Sequence, residues 1–578
     1  MSNLILRNNK VYKNKNLQIK MNSKLTLLLM FLCLGSISLE AQDLLSKKTK
    51  FSRKDTLRGT LGPERTWFDV TYYDLNLTVE PDEKRIYGYN DIHFNVLQPE
   101  KVMQIDLFAN MQVDSIFLGK KKLKYTREFD AVFIEIPKKL KKKQNYSIRF
   151  YYSGKPVVAV RAPWDGGFVW AKDKNGKDFV GTACQGMGAS SWWPNKDHQT
   201  EEPDSMRISV AVPKGLKFVG NGNARGEYPE GDDKIRYDWF VSYPINNYDI
   251  SLNIGDYAHF SDTHTYSDGD VLALDYYVMS YNFEKAKEHF EQVKPMLACY
   301  ETYIGKYPFM RDGFSLVETP YLGMEHQSGI AYGNNYLPGY NGNTDYTSKL
   351  NFDYIIIHEA GHEWWGNSVT TEDIADMWIH EGFCTYTEAV YVECLHGFEM
   401  AMKYINDKKP YVGNEKPVIG SYGVQKEGSG DMYTKGMLLL NTVRHIIGDD
   451  DLWWEIFLGI TQDFQHQIVT SAQIEQYIID KSGKNLQPIF DQFLRYPALP
   501  VLHYKTKGKK NTKLTMYWET DVEKFEMPIL VENSEGLLEE IMVSNKKPVT
   551  IKLKGVAPKN LTFGEDFLYF EKSEDWTR

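Results

Sequence analysis

From Trp67 to about Phe260 apolar side chains recur at alternate positions, as in Tyr73, Leu75, Leu77 and Val79 and again in Ile92, Phe94 and Val96. A period of two, broken by turn residues about every ten positions, predicts strands with one buried face, and hence a large β domain. Near Phe283 the period lengthens. Phe283, Ala286, Phe290, Val293, Leu297, Tyr300 and Ile304 stand three or four apart, which predicts helix, kinked at Pro295, and puts a domain boundary at about residue 262. A short strand is predicted at 314–318, and helices at 378–395, 433–447, 450–462, 471–481 and 486–495. Thr470 with Gln473 makes a capping box for one of them, and Gly448 stops another. From Val501 alternation returns in Leu514, Met516 and Trp518 and in Met527, Ile529 and Val531. The order is therefore a linker over 42–64, an all-β domain over 65–262, a mixed helix-and-strand domain over 263–500 and a small β-sandwich over 501–578. Residues 181–194 break the pattern: too rich in glycine and aromatics for an ordinary strand, they read either as a wall lining a site or as a loop over the sheet.

Composition changes the picture at the amino terminus. With 578 residues, 42% hydrophobic and 14% aromatic, the chain can fill several cores. The net charge is −9; six Lys or Arg against one acid over residues 1–41 make that stretch +5 and leave −14 for the rest. Such a surplus of acid is not built for polyanions, so no nucleic-acid partner is expected, and the lysine runs at 120–122 and 138–143 read as solvated turns. Lys20 and Lys24 precede an apolar run at 25–34, which gives way to small and polar residues through Ala41. This is the layout of a secretory signal peptide over 1–41, cut after Ser38 or Ala41, with residues 1–20 an extension if Met21 is the start. The run is too short to span a bilayer comfortably. An exported protein, periplasmic or extracellular, follows, with no transmembrane span in the mature chain; the alternative is an uncleaved leader that holds it at the membrane. Cys184, Cys299, Cys384 and Cys394 form no metal motif and no dense disulfide framework, and are expected to be buried free thiols.

The chemistry is concentrated in one run. Residues 355–365 read as a buried helix that contains His358, Glu359, Ala360, Gly361 and His362. Histidines four apart share a helix face, so both imidazoles can reach one ion while Glu359 points at the same place without binding it. Glu381 follows His362 after eighteen intervening residues and is the third candidate ligand. Three protein ligands leave a fourth position for water, the catalytic arrangement and not the structural one.

Three more motifs flank that run: residues 182–197 with Gln185 and Pro194, the loop Gly323, Met324 and Glu325, and Tyr433, Thr434, Lys435 and Gly436. Together, and with Gly366 to Thr370 behind the histidines, they make the chain resemble the zinc aminopeptidase family typified by aminopeptidase N, over about residues 65–575. The resemblance implies a thermolysin-like α+β zinc peptidase domain with one zinc ion per chain, held by His358, His362 and Glu381. It implies Glu359 as general base on the zinc-activated water and Tyr433 as stabiliser of the oxyanion. It implies that Glu325, beside Gly323 and Met324, recognises the free amino terminus of a peptide substrate, that the strand before Glu325 pairs with the substrate backbone, and that Gln185 lines the first side-chain pocket. Leu322 and His326 depart from the family's usual glycine and asparagine, which bears on the shape of that pocket. No room follows the small β domain for the family's helical carboxy-terminal domain, so a short form with a more open cleft that admits longer peptides is expected. The reading is a zinc-dependent aminopeptidase. Two alternatives stay open: a zinc endopeptidase on the same scaffold, which would not need Glu325, and a non-catalytic peptide-binding module. Epoxide hydrolysis as a second activity occurs on related scaffolds. Oligomeric state is not legible.

Overall fold

The computed structural model describes residues 51–343 and 350–576; the leader at 1–41 and the start of the expected linker lie outside them. The rest of that linker is not a free tether. Residues 53–59 form a helix, and Arg65 just beyond it is fully buried against Asp106. Gly59 lies on the backbone of Val424, where a Cβ would come within 2.2 Å, and the Thr60 hydroxyl donates to the Gly423 carbonyl at 2.8 Å. The buried ion pair and these long-range contacts fix the segment.

The alternating region forms an eight-stranded sheet ordered Asn223–Glu230, Lys234–Val241, Ser205–Pro213, Phe68–Glu80, Arg85–Val96, Asn145–Gly154, Met111–Leu118 and Lys121–Lys122. Along its central strand Tyr73, Leu75, Leu77 and Val79 are buried while Asp74 and Asn76 are half-exposed, as the pleat requires. A four-stranded and a three-stranded sheet complete the region, over a core that holds Trp67, Phe94, Trp192 and Trp193. The irregular stretch serves two purposes. Its first residues end the strand Asp178–Ala183, and Trp192 and Trp193 fill the core; Gln185 and Gly186 between them line a cavity.

A five-stranded sheet follows, ordered Tyr257–Thr265, Val271–Met279, Phe314–Glu318, Ile330–Tyr332 and Gly323–Met324. Its first strand runs through residue 262, where the change of period had put a boundary. The strand Phe314–Glu318, expected to take up substrate backbone, is buried throughout and paired on both sides. The edge strand beyond it is Gly323–Met324, which among the described residues pairs only with Ile330–Tyr332.

Helix α1 (Val293–Tyr303) backs the three helices that carry the site, α2 (Tyr354–Gly361), α3 (Trp378–His396) and α4 (Thr434–Ile447), the Tyr300 hydroxyl donating to the Ile357 carbonyl at 2.7 Å. Pro295 falls in the first turn of α1, where no intrahelical donor is needed, and the break in the helix is the 3-10 turn Phe290–Gln292 ahead of it. The metal helix is shorter than its apolar run, since α2 ends at Gly361 and the chain turns back so that Trp365 bridges Val369. Gly448 is left-handed, with φ +70°, and caps α4. Thr470 and Gln473 make the capping box of Ser471–Ser482. The stretch expected as helix over 486–495 is a short α-turn, Gln487–Phe490, and a π-turn, Asp491–Arg495.

The last strands form a four-stranded sheet and a hairpin, Glu526–Asn533 with Gly536–Ser544. Trp518, Met527 and Val531 from these sheets belong to the same core as the helices. One expectation for the cysteines is overturned: Cys299 on α1 and Cys394 at the end of α3 form a disulfide. Cys184 and Cys384 are the buried free thiols. Among the described residues no helix is long and apolar enough to cross a membrane.

Candidate metal centre and substrate cleft

Helix α2 is fixed at its start by Asp353, whose carboxylate caps the Ile355 N–H at 2.9 Å and also accepts from the Tyr332 hydroxyl at 2.7 Å and the Asn334 amide at 2.8 Å. Ile356 and Ile357 bury one side of the helix. His358 and His362 leave it on the other, toward α3. The two helices approach closely because residue 361 is glycine: a Cβ there would stand 3.3 Å from the Cys384 sulfur. Glu381 sits in the first turn of α3, where the helix dipole favours a carboxylate.

Three atoms converge. The Nε2 atoms of His358 and His362 are 3.3 Å apart, and Glu381 Oε2 lies 3.5 Å from the first and 3.3 Å from the second. That oxygen has no hydrogen-bond partner. The Nδ1 atom of His358 meets a Glu388 oxygen at 2.7 Å, and that of His362 meets the Trp365 carbonyl at 3.0 Å. Both partners only accept, so each Nδ1 carries a ring proton, and in the neutral ring that a metal binds each Nε2 presents a lone pair. Two lone pairs and an unpartnered carboxylate oxygen repel one another unless a cation sits among them. Ligands bound at about 2.1 Å with tetrahedral angles stand about 3.4 Å apart, which matches all three edges, so the residues fit a small divalent ion.

The support behind this triangle was not read from the sequence. Glu388 accepts from Lys408 at 2.5 Å and from the Tyr404 hydroxyl. Burial opposes its charge, but Lys408 and His358 outweigh that and hold the carboxyl down to about 2. It stands two turns beyond Glu381 on the same face of α3, a spacing that could have singled it out. An anion there orients the His358 ring and makes it a better donor.

Around the triangle lies a cavity of about 500 Å³, lined by every residue to which the sequence assigns a catalytic, metal or substrate role: Gln185, Gly323, Met324, Glu325, His358, Glu359, His362, Glu381 and Tyr433. Glu359 Oε1 is so close to Gly323 that a Cβ there would come within 2.8 Å, which explains glycine in the edge strand. Burial outweighs the attraction of the two histidines and, with smaller repulsion from Glu325 and Glu381, lifts the Glu359 carboxyl to about 7. Carboxylate oxygens of Glu325 and Glu359 and a ring nitrogen of His362 all lie within 4.8 Å of one another. Glu325 accepts from Gln185 Nε2 at 2.5 Å and from the Tyr248 hydroxyl at 3.2 Å, and Gln185 reaches Glu381 as well, at 3.1 Å. Asn367 holds the Glu325 carbonyl at 2.8 Å. Nothing in the pattern around Tyr248 distinguishes it from the other tyrosines.

Tyr433 precedes α4, its ring 6.2 Å from that of His358 and 25° from parallel to it. Burial, then the charges of Glu381 and Glu325, keeps its hydroxyl protonated. Its place is set by Gly436 one turn on, where a Cβ would stand 2.8 Å from the Gly382 backbone of α3. Only a pair of glycines lets these helices touch there. Lys435 points away and donates to the Pro497 carbonyl at 2.8 Å. Leu322 lines the cavity, whereas His326 is fully buried, without a hydrogen-bond partner and held neutral by that burial, its pKa down at about 3.

This geometry meets its counterpart in known proteins. Residues 288–493, which include α2, α3 and Tyr433, match the model of the peptidase family M1 domain. The chain carries an M1 peptidase domain. Relatives that the chain matches carry the name aminopeptidase. The leucyl aminopeptidase of Saccharolobus solfataricus is 21% identical over 408 residues, 68% of this chain and 49% of that protein. Aminopeptidase N of Lactobacillus helveticus is 23% identical, over 78% of this chain and 53% of that one. The chain thus spans about half the length of the curated relatives it matches. A crystal structure of a mutant M1 zinc metallopeptidase from Deinococcus radiodurans shares the fold, with TM-score 0.64 and 18% identity over 77% of this chain and 97% of that one. The M1 match begins after the strand Val271–Met279 and ends before the last sheets, so it covers the metal triangle and the Glu325 loop but not Gln185 or Tyr248.

Proposed function

We propose that the protein is an exported zinc aminopeptidase that removes residues one at a time from the amino termini of peptides. The observation that carries this reading is Glu325. A carboxylate bound by Gln185 and Tyr248 faces the same cavity as the metal triangle, and the charge of an α-ammonium is what it would receive. Its fixed distance from the triangle then measures one residue to the bond that breaks.

Zinc bound by His358, His362 and Glu381 would supply a Lewis acid for the scissile carbonyl and make water acidic enough to yield a proton near neutral pH. Glu359 takes that proton and returns it to the leaving amine. Tyr433 donates its hydroxyl hydrogen to the carbonyl oxygen as charge builds there. The edge strand Gly323–Met324 offers its unpaired side to the substrate backbone. Export is supported by the sequence of residues 1–41 and by the Cys299–Cys394 disulfide, since such bonds persist in oxidising compartments.

The reading is tested by Glu325→Ala on a free-amine peptide. Loss of the counter-ion should raise KM by about 10- to 100-fold while zinc content stays at one per chain. A variant with unchanged KM and kcat would show that the α-ammonium is held elsewhere.

A further inference from the structure

The cavity holds one carboxylate that the reaction does not use. Glu381 belongs to the metal triangle, Glu359 to the proton transfer and Glu325 to the α-ammonium. The cation that lines the cavity, Lys408, donates to Glu388. Glu427 remains. Its Oε1 lies against Gly186, where a Cβ would come within 2.6 Å, and among the described residues no hydrogen bond or ion pair reaches it. Gly186 follows Gln185, the residue that holds Glu325. Glu427 therefore meets the cavity wall one residue beyond the one that holds the amine-binding carboxylate. Burial, then the charges of Glu381 and Glu325, raises its pKa to about 7, the sign of a carboxylate short of a counter-ion. Trp164 lines the same cavity with 66% of its surface exposed, and the face of an indole attracts a guanidinium or ammonium group.

We propose that the first side-chain subsite is built for a basic residue, arginine or lysine, with Glu427 as counter-ion and Trp164 packed on the stem of the side chain. This rests on the aminopeptidase reading and adds the class of substrate: peptides with a basic amino-terminal residue. A half-buried carboxylate that meets its cation only in the right substrate discriminates by leaving itself unpaired in the wrong one.

The test compares kcat/KM of the zinc-loaded full chain on peptides that differ only in the first residue, Arg, Lys, Leu or Glu. Arg and Lys should exceed Leu by at least about tenfold, and Glu should be poorest. In Glu427→Gln the ratio of Arg to Leu should fall to within about threefold of one, mainly through KM; in Glu427→Lys it should invert in favour of Glu. Calorimetry should likewise show L-argininamide bound more tightly than L-leucinamide by the wild type, with the difference lost in Glu427→Gln. Wild-type enzyme that trims Leu peptides as well as Arg peptides would overturn the subsite and leave the aminopeptidase reading standing. An equal loss on all substrates in Glu427→Gln would overturn it too. Failure to cleave any free-amine peptide would instead remove the reading on which the subsite rests.

Discussion

Glu359 and Tyr433 border one cavity but answer to different steps, so their variants should fail in different ways. Glu359→Ala leaves the metal triangle intact and should keep one zinc per chain by elemental analysis while kcat falls by about a thousandfold or more. Tyr433→Phe removes a donor that matters as the oxyanion forms, so kcat should drop roughly 100-fold with KM nearly constant. A fully active Tyr433→Phe would remove that residue from the mechanism. The ligand candidates were legible because a helix turns their spacing into a shared face, and the three edges of 3.3 to 3.5 Å fit that reading. Tyr248 and Glu427 were not legible. Tyr248 reaches Glu325, and Glu427 the cavity, from segments far from the histidines, and no periodicity relates positions brought together only by tertiary packing.

At the scale of the helix, the contact between Gly382 on α3 and Gly436 on α4 sets where Tyr433 stands relative to Glu381. Intrinsic propensity says that alanine in a helix is better than glycine by about 1 kcal/mol. Sterics say the reverse, since the new Cβ would stand 2.8 Å from backbone that cannot move alone. Gly436→Ala should therefore lower stability in urea unfolding by roughly 1–3 kcal/mol and lower kcat with it; a stabilised variant would show that the helices part freely. Helix positions were largely legible, because apolar periodicity and caps such as Thr470 with Gln473 are local signals. Pairing within a sheet is not local. The pattern around residues 314–318 announced a strand but did not show that both its sides are taken, and so the open edge at Gly323–Met324 emerged only from the fold.

For the whole molecule, the metal and the disulfide tie distant parts of the chain together. Zinc binds the folded triangle and not the unfolded chain, so chelation should lower the Tm measured by calorimetry, and His358→Ala should start at the lower Tm and show no further shift. Replacing Cys299 and Cys394 by serine opens a link across 95 residues of sequence and should cost about 2–4 kcal/mol. That pairing was hidden in the sequence because two cysteines so far apart carry no spacing motif. The alternation of β and helical regions was plain, yet the residues at 53–64 were read as linker, since contacts such as that of Gly59 with Val424, and the buried ion pair of Arg65 and Asp106 just beyond, leave no periodic trace. The most direct measurement of the central claim uses a free-amine peptide and its N-acetylated twin, each with the full chain, with and without a chelator. Cleavage of the free peptide alone, one residue at a time and abolished by chelation, is the predicted result; equal cleavage of the acetylated twin would contradict it and point to an endopeptidase.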